Sequence, residues 1–348
     1  MTLEGWLREW GGRPILAAVA GATCIATSAV FMKLAGSSPS VTALGRCGLA
    51  LPVLAVLAWR ERRAGAGRLR PQARWLSRAA GVFLAADLIA WSHTINDIGA
   101  GLGTVLPNLQ VLLVAGLAWL LLGERPKRSL LIASPVMLGG LVLVGGLAGT
   151  GGYGAHPGLG AAYGVGVALL YAAYILLLRQ ATGPHVAATK GEKPPVAAAL
   201  YEATLGATAG SLVIGLALRD FRLGPAWPAL GWLLLLAMTS QVIGWLLITT
   251  SMPRLPAWLV GALLLVQPVG SLLLGAAFLG ERPSLPQLGG AALMLAGVVI
   301  AVIGLLPGRG GPPPAPEPVG PRLSLLSANV AKIPSSDRRR HLTDRKQT

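Results

Sequence analysis

Two stretches of this chain repeat one another. Residues 101–126 read GLGTVLPNLQVLLVAGLAWLLLGERP, and residues 258–283 read WLVGALLLVQPVGSLLLGAAFLGERP. An offset of 157 positions places Gln110 on Gln267, Gly123 on Gly280, Glu124 on Glu281, Arg125 on Arg282 and Pro126 on Pro283. An internal repeat fixes the gross plan of a chain before any local propensity does. Each copy reads as an apolar helix carrying a proline and a glutamine in mid-span and ending at Gly-Glu-Arg-Pro. Two similar halves follow, each with one such helix, and the question becomes what the halves enclose.

The composition says where they sit. Of 348 residues, 53% are hydrophobic and 12% are charged, with a mean hydropathy of +0.64. Soluble domains carry about 25% charged residues. A chain this long with so few charges has too little polar surface to face water, so it reads as an integral membrane protein. The net charge of +16 would suggest a nucleic-acid partner in a soluble protein. Here it reads as basic loops that orient helices, and no nucleic acid is expected. Cys24 and Cys47 both fall in apolar segments and read as packing residues rather than a disulfide. The first apolar segment starts near Pro14 and is long enough to span, unlike the hydrophobic core of a signal peptide.

Ten segments are apolar over about 20 residues, the length of a transmembrane helix. They cover 14–34, 41–59, 79–98, 101–122, 129–147, 158–178, 195–218, 227–250, 257–279 and 285–305. The fold class expected is an all-α polytopic membrane protein of ten transmembrane helices. Residues 1–13 form an N-terminus, 14–147 a first five-helix repeat, 158–306 a second, and 307–348 a basic, proline-rich disordered tail. Loop charge orients the whole. With the N-terminus inside, the cytoplasmic loops hold Arg60, Arg62, Arg63, Arg68, Arg70, Arg74, Arg78, Arg125, Lys127, Arg128, Arg179, Lys190, Lys193 and Arg254. The outer loops hold Lys33, Arg219, Arg222 and Arg282. The excess of basic residues inside puts both termini in the cytoplasm. Five helices is an odd number, so the second half enters the membrane inverted. Inverted repeats are a design of secondary transporters, which bind substrate between the halves near the midplane.

These features resemble the drug/metabolite transporter superfamily in its ten-helix EamA-type form. The resemblance rests on Phe31-Met32-Lys33 near the end of the first segment, the basic first cytoplasmic loop, and the two Leu-Gly-Glu-Arg-Pro endings. Gly-rich segments after each ending extend it, with Leu138-Gly139-Gly140 in one half and Leu295-Ala296-Gly297 in the other; Leu178-Arg179 echoes the first motif. It covers about residues 14–306. It implies a secondary transporter that moves metabolites, amino acids or drug-like solutes across the inner membrane, often outward. It implies no particular substrate.

Ionisable residues inside a span are expensive and therefore point to function. Asp87 lies midway along the third segment, with Trp91 and Thr94 at i+4 and i+7 on the same face. It reads as a coupling carboxylate on a central cavity or as half of a structural ion pair, for which Arg46 is the candidate partner. Glu202, early in the seventh segment, is a second coupling candidate; a carboxylate favoured by a helix N-terminus is the plainer reading. His93 and Asp97 are spaced i, i+4, but the other histidines lie outside the spans, so no metal is expected.

Gln110 and Gln267 align, and each lies near a proline, Pro107 or Pro268, read as a gating kink. Each glutamine is expected either to contact substrate or to satisfy a carbonyl freed by its own kink. Ser271 shares a stripe with Gly261, Leu264 and Gly275 beside Pro268. Tyr163, Tyr171 and Tyr174 share a face of the sixth segment, and Gln241 and Trp245 in the eighth correspond in position to Asp87 and Trp91. The glutamates of the two Gly-Glu-Arg-Pro endings read as surface charges at helix boundaries.

The function expected is secondary active transport by alternating access, as proton-coupled efflux. A facilitative uniporter or an exchanger without proton coupling is the alternative. An enzyme would need a cluster of catalytic residues that the sequence lacks. A channel fits poorly with a pseudo-twofold repeat in one chain. No phosphate-binding GxxxxGK[ST] motif occurs, and no cofactor is expected. Expected partners are a small-molecule substrate, protons and lipid, with the chain a monomer or homodimer in the inner or plasma membrane.

Overall fold

The computed structural model describes residues 13–113, 128–145, 153–182, 195–220, 227–251 and 263–303. These all belong to one compact unit, 1–116 with 126–306. A second unit, 117–125 with 307–348, lies outside them, as do the first Gly-Glu-Arg-Pro ending, Gly261 and the expected disordered tail.

Every described element is helical. The first span is α1 (Pro14–Ala26) and α2 (Ser28–Ala35), broken at Thr27. The second is α3 (Pro39–Gly48) and α4 (Leu51–Arg63). Then come α5 (Pro71–Ile98), α6 (Ala100–Val105) running into a 3₁₀ turn at Leu106–Leu109, α7 (Arg128–Val144), α8 (Pro157–Thr182) and α9 (Val196–Leu218). The eighth is composite: α10 (Ala229–Leu236), a π-helical stretch Ala237–Gly244, and α11 (Trp245–Ser251). Helices α12 (Val266–Leu279) and α13 (Leu285–Ile303) complete the set.

Five helical segments are long and apolar enough to cross a bilayer: Pro14–Ala35, Pro39–Arg63, Pro157–Thr182, Val196–Leu218 and Ala229–Ser251. Four more are apolar and shorter: Ala100–Leu113, Arg128–Val144, Val266–Leu279 and Leu285–Ala301. Large apolar side chains such as Phe278, Leu273, Val213 and Leu131 point outward, the surface expected of a protein whose solvent is lipid. The chain is a multi-pass membrane protein.

Two helices are longer than their apolar stretches imply. Proline at the first helical positions starts α3 at Pro39 and α5 at Pro71. Arg60, Arg62, Arg63, Arg74 and Arg78, assigned above to a loop, are therefore helical. Their long side chains can reach water from a helix end.

Close approach of backbones sets the packing. A Cβ on Gly140 of α7 would meet the Gly290 carbonyl of α13 at 2.6 Å, and one on Gly290 would meet the Gly140 carbonyl at 2.7 Å. A Cβ on Gly21 of α1 would meet the Gly244 carbonyl at 2.9 Å, so the first span lies directly on the π-helical stretch. Small residues permit such contacts where lipid provides no hydrophobic drive between helices.

Helix N-termini carry backbone N–H groups with no partner in their own helix. In this structure remote carboxylates meet that need. Glu61, near the end of α4, accepts from Ala197 N and Ala198 N at 3.1 Å each, at the start of α9. Asp220, just past the end of α9, accepts from Ser40 N at 3.2 Å, at the start of α3. The second and seventh spans thus cap each other's beginnings, which requires them to run antiparallel.

Glu281 does the same for α6. Its carboxylate accepts from Ala100 N at 2.6 Å and Gly101 N at 3.0 Å, with Lys33 Nζ at 3.9 Å. This corrects the surface reading of Glu281: it is buried, and only its neighbour Arg282 is exposed. The left-handed Gly280 (φ 64°) ends α12 and turns the chain so that Glu281 reaches inward. Burial, and then this carboxylate, push the pKa of the nearby Tyr153 phenol upward.

Replacing Glu281 with alanine strands two buried amides and should lower the unfolding free energy in detergent by at least about 2 kcal/mol. Arg282→Ala should stay within about 0.5 kcal/mol of the parent. Equal effects of the two substitutions would contradict the capping role.

Candidate functional site

Breaks in the helices converge on one place. Directly after α6 the 3₁₀ turn carries Pro107, which lacks the N–H to continue the α-helical ladder. Asn108 Nδ2 donates to the Val105 carbonyl at 2.9 Å and the Thr104 carbonyl at 3.3 Å. Asn108, not Gln110, therefore satisfies carbonyls beside this break. In the repeat partner the helix breaks at Leu265, and Pro268 falls in the first turn of α12.

The break at Thr27 is closed by hydroxyls. Ser271 donates to the Ala26 carbonyl at 2.8 Å, and Thr27 donates to the Cys24 carbonyl at 2.7 Å. Ser240 of the π-helical stretch bonds Ser28. π-Helical stretches within α-helices are rare and recur at functional sites. This one carries Gln241.

Between these breaks lies a cavity of about 100 Å³. Its polar wall is Arg46, Asp87, Thr104, Asn108, Gln110 and Gln267, and its aromatic wall is Trp91, Tyr171 and Trp245. Pro107 and Pro268 also line it. Ile25, Leu84, Leu88, Val167 and Leu264 supply the apolar remainder. Nine of the residues singled out from sequence meet here, and the two aligned glutamines, Gln110 and Gln267, share one cavity. The first, third, fourth, sixth, eighth and ninth spans contribute, and the second adds Arg46.

Five of the expected residues do not line the cavity. Tyr174 sits behind the aromatic wall, stacked on Tyr171 at 6.0 Å between ring centroids and edge-on to Trp245 at 5.6 Å. Gln241 holds Arg46: its Oε1 accepts from Arg46 Nε at 3.1 Å, and its Nε2 donates to Thr204 Oγ1 at 3.2 Å. Thr94 is fully buried and donates to the Ala90 carbonyl of its own helix at 3.1 Å. Ser271 serves the break at Thr27. Glu202 pairs with Arg78 at 2.7 Å and Arg74 at 3.1 Å near the start of α5.

The expected Asp87–Arg46 ion pair is not formed. Among the described residues Asp87 lies within 4 Å of no cation, and the Arg46 hydrogen bond goes to Gln241. The two opposite charges share the cavity wall without closing on each other. The reason is geometric: Gln241, aimed by the π-helical stretch and by Thr204, fixes the guanidinium through Nε.

Three buried atoms on the wall make no hydrogen bond: Asp87 Oδ1, Gln110 Oε1 and Trp245 Nε1. The other unpartnered buried side-chain atoms among the described residues are Tyr174 Oη and four serine hydroxyls. An unpaired buried polar atom costs about 1–3 kcal/mol, so three on one cavity mark a place built for a partner. His93, at the far end of α5, stacks on Tyr163 at 5.0 Å. Among the described residues no group of three or more His, Cys, Asp or Glu could hold a metal.

The EamA-like transporter family matches residues 12–146 and 158–303, most of the chain. The chain belongs to the EamA-like transporter family. The family matches it twice, in agreement with the internal repeat, and makes it a membrane transporter of small solutes. Twenty-six chains of solved structures are similar. One, described only as a protein crystal structure, has 19% identity and a TM-score of 0.56, covering 84% of this chain and 97% of that one. At that identity the likeness shows the fold alone. No curated protein matches the sequence.

Asn108, Thr104, Glu61 and Asp220 went unremarked in the sequence. Asn108 stands beside Pro107 within a span and carried a signal of its own, a polar side chain next to a freed carbonyl. The others had none.

Glu202→Gln should lower stability by about 1 kcal/mol or less, since its arginine partners are partly exposed. It should leave solute binding unchanged, measured as the ligand-induced shift in melting temperature. Loss of that shift would return Glu202 to the site.

Proposed function

We propose that this EamA-like transporter moves its solute through the Asp87–Gln110–Trp245 cavity by alternating access, coupled to protons and directed outward. The single observation that carries the reading is the cavity itself. It is bounded by helix breaks in both repeats and walled by opposite charges that do not neutralise each other. Residues 14–147 and 158–306 act as two inverted five-helix repeats that rock around it. The mutual capping of the second and seventh spans supports that symmetry, because each repeat provides to the other the contact it receives. Loop charge supports an orientation with both termini in the cytoplasm of an inner or plasma membrane.

Asp87 is the coupling group. Among the described residues it is the one carboxylate on the wall, and it has an oxygen without a hydrogen-bond partner, free to take a proton or a cationic group. Protonation would remove its charge, change its attraction to Arg46 and alter which state of the cavity is favoured. A second reading has its own support. Arg46, held on the same wall, can keep Asp87 charged throughout the cycle, and the protein would then be an exchanger without proton coupling.

Asp87→Asn decides between them. In proteoliposomes, with a radiolabelled solute that raises the melting temperature of the protein, the variant should lose accumulation driven by a pH gradient. It should retain solute–solute exchange. Accumulation at the parental rate would reject Asp87 as the coupling group, and parental protein indifferent to the pH gradient would favour the exchanger.

A further inference from the structure

The outward sides of the second and third spans repeat one order of side chains. On α4, Val56, Trp59 and Arg63 fall at i, i+3 and i+7, one stripe of a helix, and all three are exposed. The stripe runs from aliphatic through aromatic to cationic as the helix ends. On α5, Val82 and Trp75 lie seven residues apart and are exposed, and the exposed Arg68 stands just before the helix. From mid-span to helix end the order is again aliphatic, aromatic, cationic. Trp59 is 51% exposed and Trp75 67%.

The ends of the two helices meet at the start of α9. Glu61 caps Ala197 and Ala198, Arg74 and Arg78 pair with Glu202 one turn further along, and Leu69 and Ala73 pack on Ala199 between them. These contacts turn both carboxylates of the junction, Glu61 and Glu202, toward the protein. Arg60, Arg62, Arg63 and Arg68 stay exposed. Among the described residues their side chains make no hydrogen bond or ion pair. The outer side of the junction is therefore cationic, with no counter-charge supplied by the chain.

Arg63 is prepared for a particular ion. Its Cζ lies 4.0 Å from the centre of the Trp59 ring, a contact that holds a cation against an exposed indole. No acceptor takes its N–H donors, and a guanidinium fork fits a phosphate in two parallel bonds. Val56 and Arg63 are about 10 Å apart along the helix. A free phosphate would use the arginines alone and leave the tryptophans and valines idle. A phospholipid carries phosphate, interfacial and hydrocarbon parts in the same order as the two stripes. A zwitterionic headgroup brings its own cation to a face that has no carboxylate for it, so the fit is to a lipid with net negative charge.

We infer that the outward face of α4 and α5 is a binding site for an anionic phospholipid. Its phosphate accepts from Arg63, with Arg62, Arg60 and Arg68 as the surrounding charge. Its glycerol region lies on Trp59 and Trp75, and its acyl chains follow Val56 and Val82. Bound lipid fastens the junction of α4, α5 and α9, so its binding raises the melting temperature. The site stands on these helices alone and does not depend on the transport reading.

The test uses the full-length protein in a neutral detergent, with each probe titrated in and the melting temperature followed. Dioleoylphosphatidylglycerol is the anionic lipid. Dioleoylphosphatidylcholine has the same chains and no net charge, and inorganic phosphate has no chains. Phosphatidylglycerol should raise the melting temperature with a midpoint concentration at least about tenfold below that of phosphatidylcholine. Inorganic phosphate should leave the melting temperature in place.

Each arginine near an anionic lipid is worth about fivefold in affinity. Arg62→Gln combined with Arg63→Gln should therefore raise the phosphatidylglycerol midpoint by about 25-fold. Arg219 and Arg282 are exposed beside the far ends of α9 and α5. Replacing both with glutamine removes the same charge and should change the midpoint by less than about twofold. If the unliganded melt shows that the Arg62 and Arg63 double variant does not fold, Arg63→Lys serves instead. It keeps the charge and loses the fork, and should raise the midpoint about threefold or more.

Equal midpoints for the two lipids would overturn the site. So would a loss of phosphatidylglycerol binding in the Arg219 and Arg282 variant as large as in the Arg62 and Arg63 variant, or an Arg63→Lys variant with the parental midpoint. A shift with inorganic phosphate as large as that with lipid would overturn the lipid in favour of a free anion.

Discussion

A backbone inside a bilayer has no water to hydrogen-bond, so every N–H and C=O must find a partner in the protein. The rest of this structure follows from how that demand is met. Intact helices meet it internally. Where helices begin, carboxylates from remote parts of the chain serve instead: Glu61 for α9, Asp220 for α3 and Glu281 for α6. Where helices break, hydroxyl and amide side chains serve: Ser271 at Ala26, and Asn108 at Thr104 and Val105. All but the Asn108 contacts cross between spans far apart in sequence, and they hold the breaks in register around one space.

That space is where the accounting is left open. Asp87, Gln110 and Trp245 each keep a buried polar atom without a partner, and Arg46 and Asp87 face the same cavity without pairing. A fold selected only for stability would close such a gap. Helix breaks and unsatisfied polar atoms around the same cavity are what a binding site inside a membrane requires: local backbone freedom together with unspent hydrogen-bonding capacity. The asymmetry between the halves matters too. The π-helical stretch and Gln241 belong to one half, and they aim a guanidinium from the other.

Much of this was legible in the sequence. Apolar length marked the helices, because a span must be about 20 apolar residues long whatever it packs against. The aligned pairs of glutamine and proline pointed to the cavity, and so did a lone carboxylate at Asp87, since each breaks the rule for a lipid-facing helix. The remote caps were not legible. Glu281 lies 181 residues from the amide of Ala100, and Glu61 lies 136 from that of Ala197. No local pattern tells a capping carboxylate from a surface one. Helical phase misled at Thr94: it shares a face with Asp87, but α5 runs past the cavity by then and Thr94 turns to its own backbone. Glu202 was ambiguous because the arginines that claim it, Arg74 and Arg78, sit on a helix that begins earlier than its apolar stretch.

The central claim is that the cavity opens in turn to each side of the membrane. It is tested most directly by a single cysteine at Gln110, with Cys24 and Cys47 replaced by alanine. A membrane-impermeant thiol reagent should modify that cysteine when applied to either face of sealed vesicles. A bound solute should slow the reaction from both faces. A cysteine that reacts from one face only, or from neither, would contradict the account.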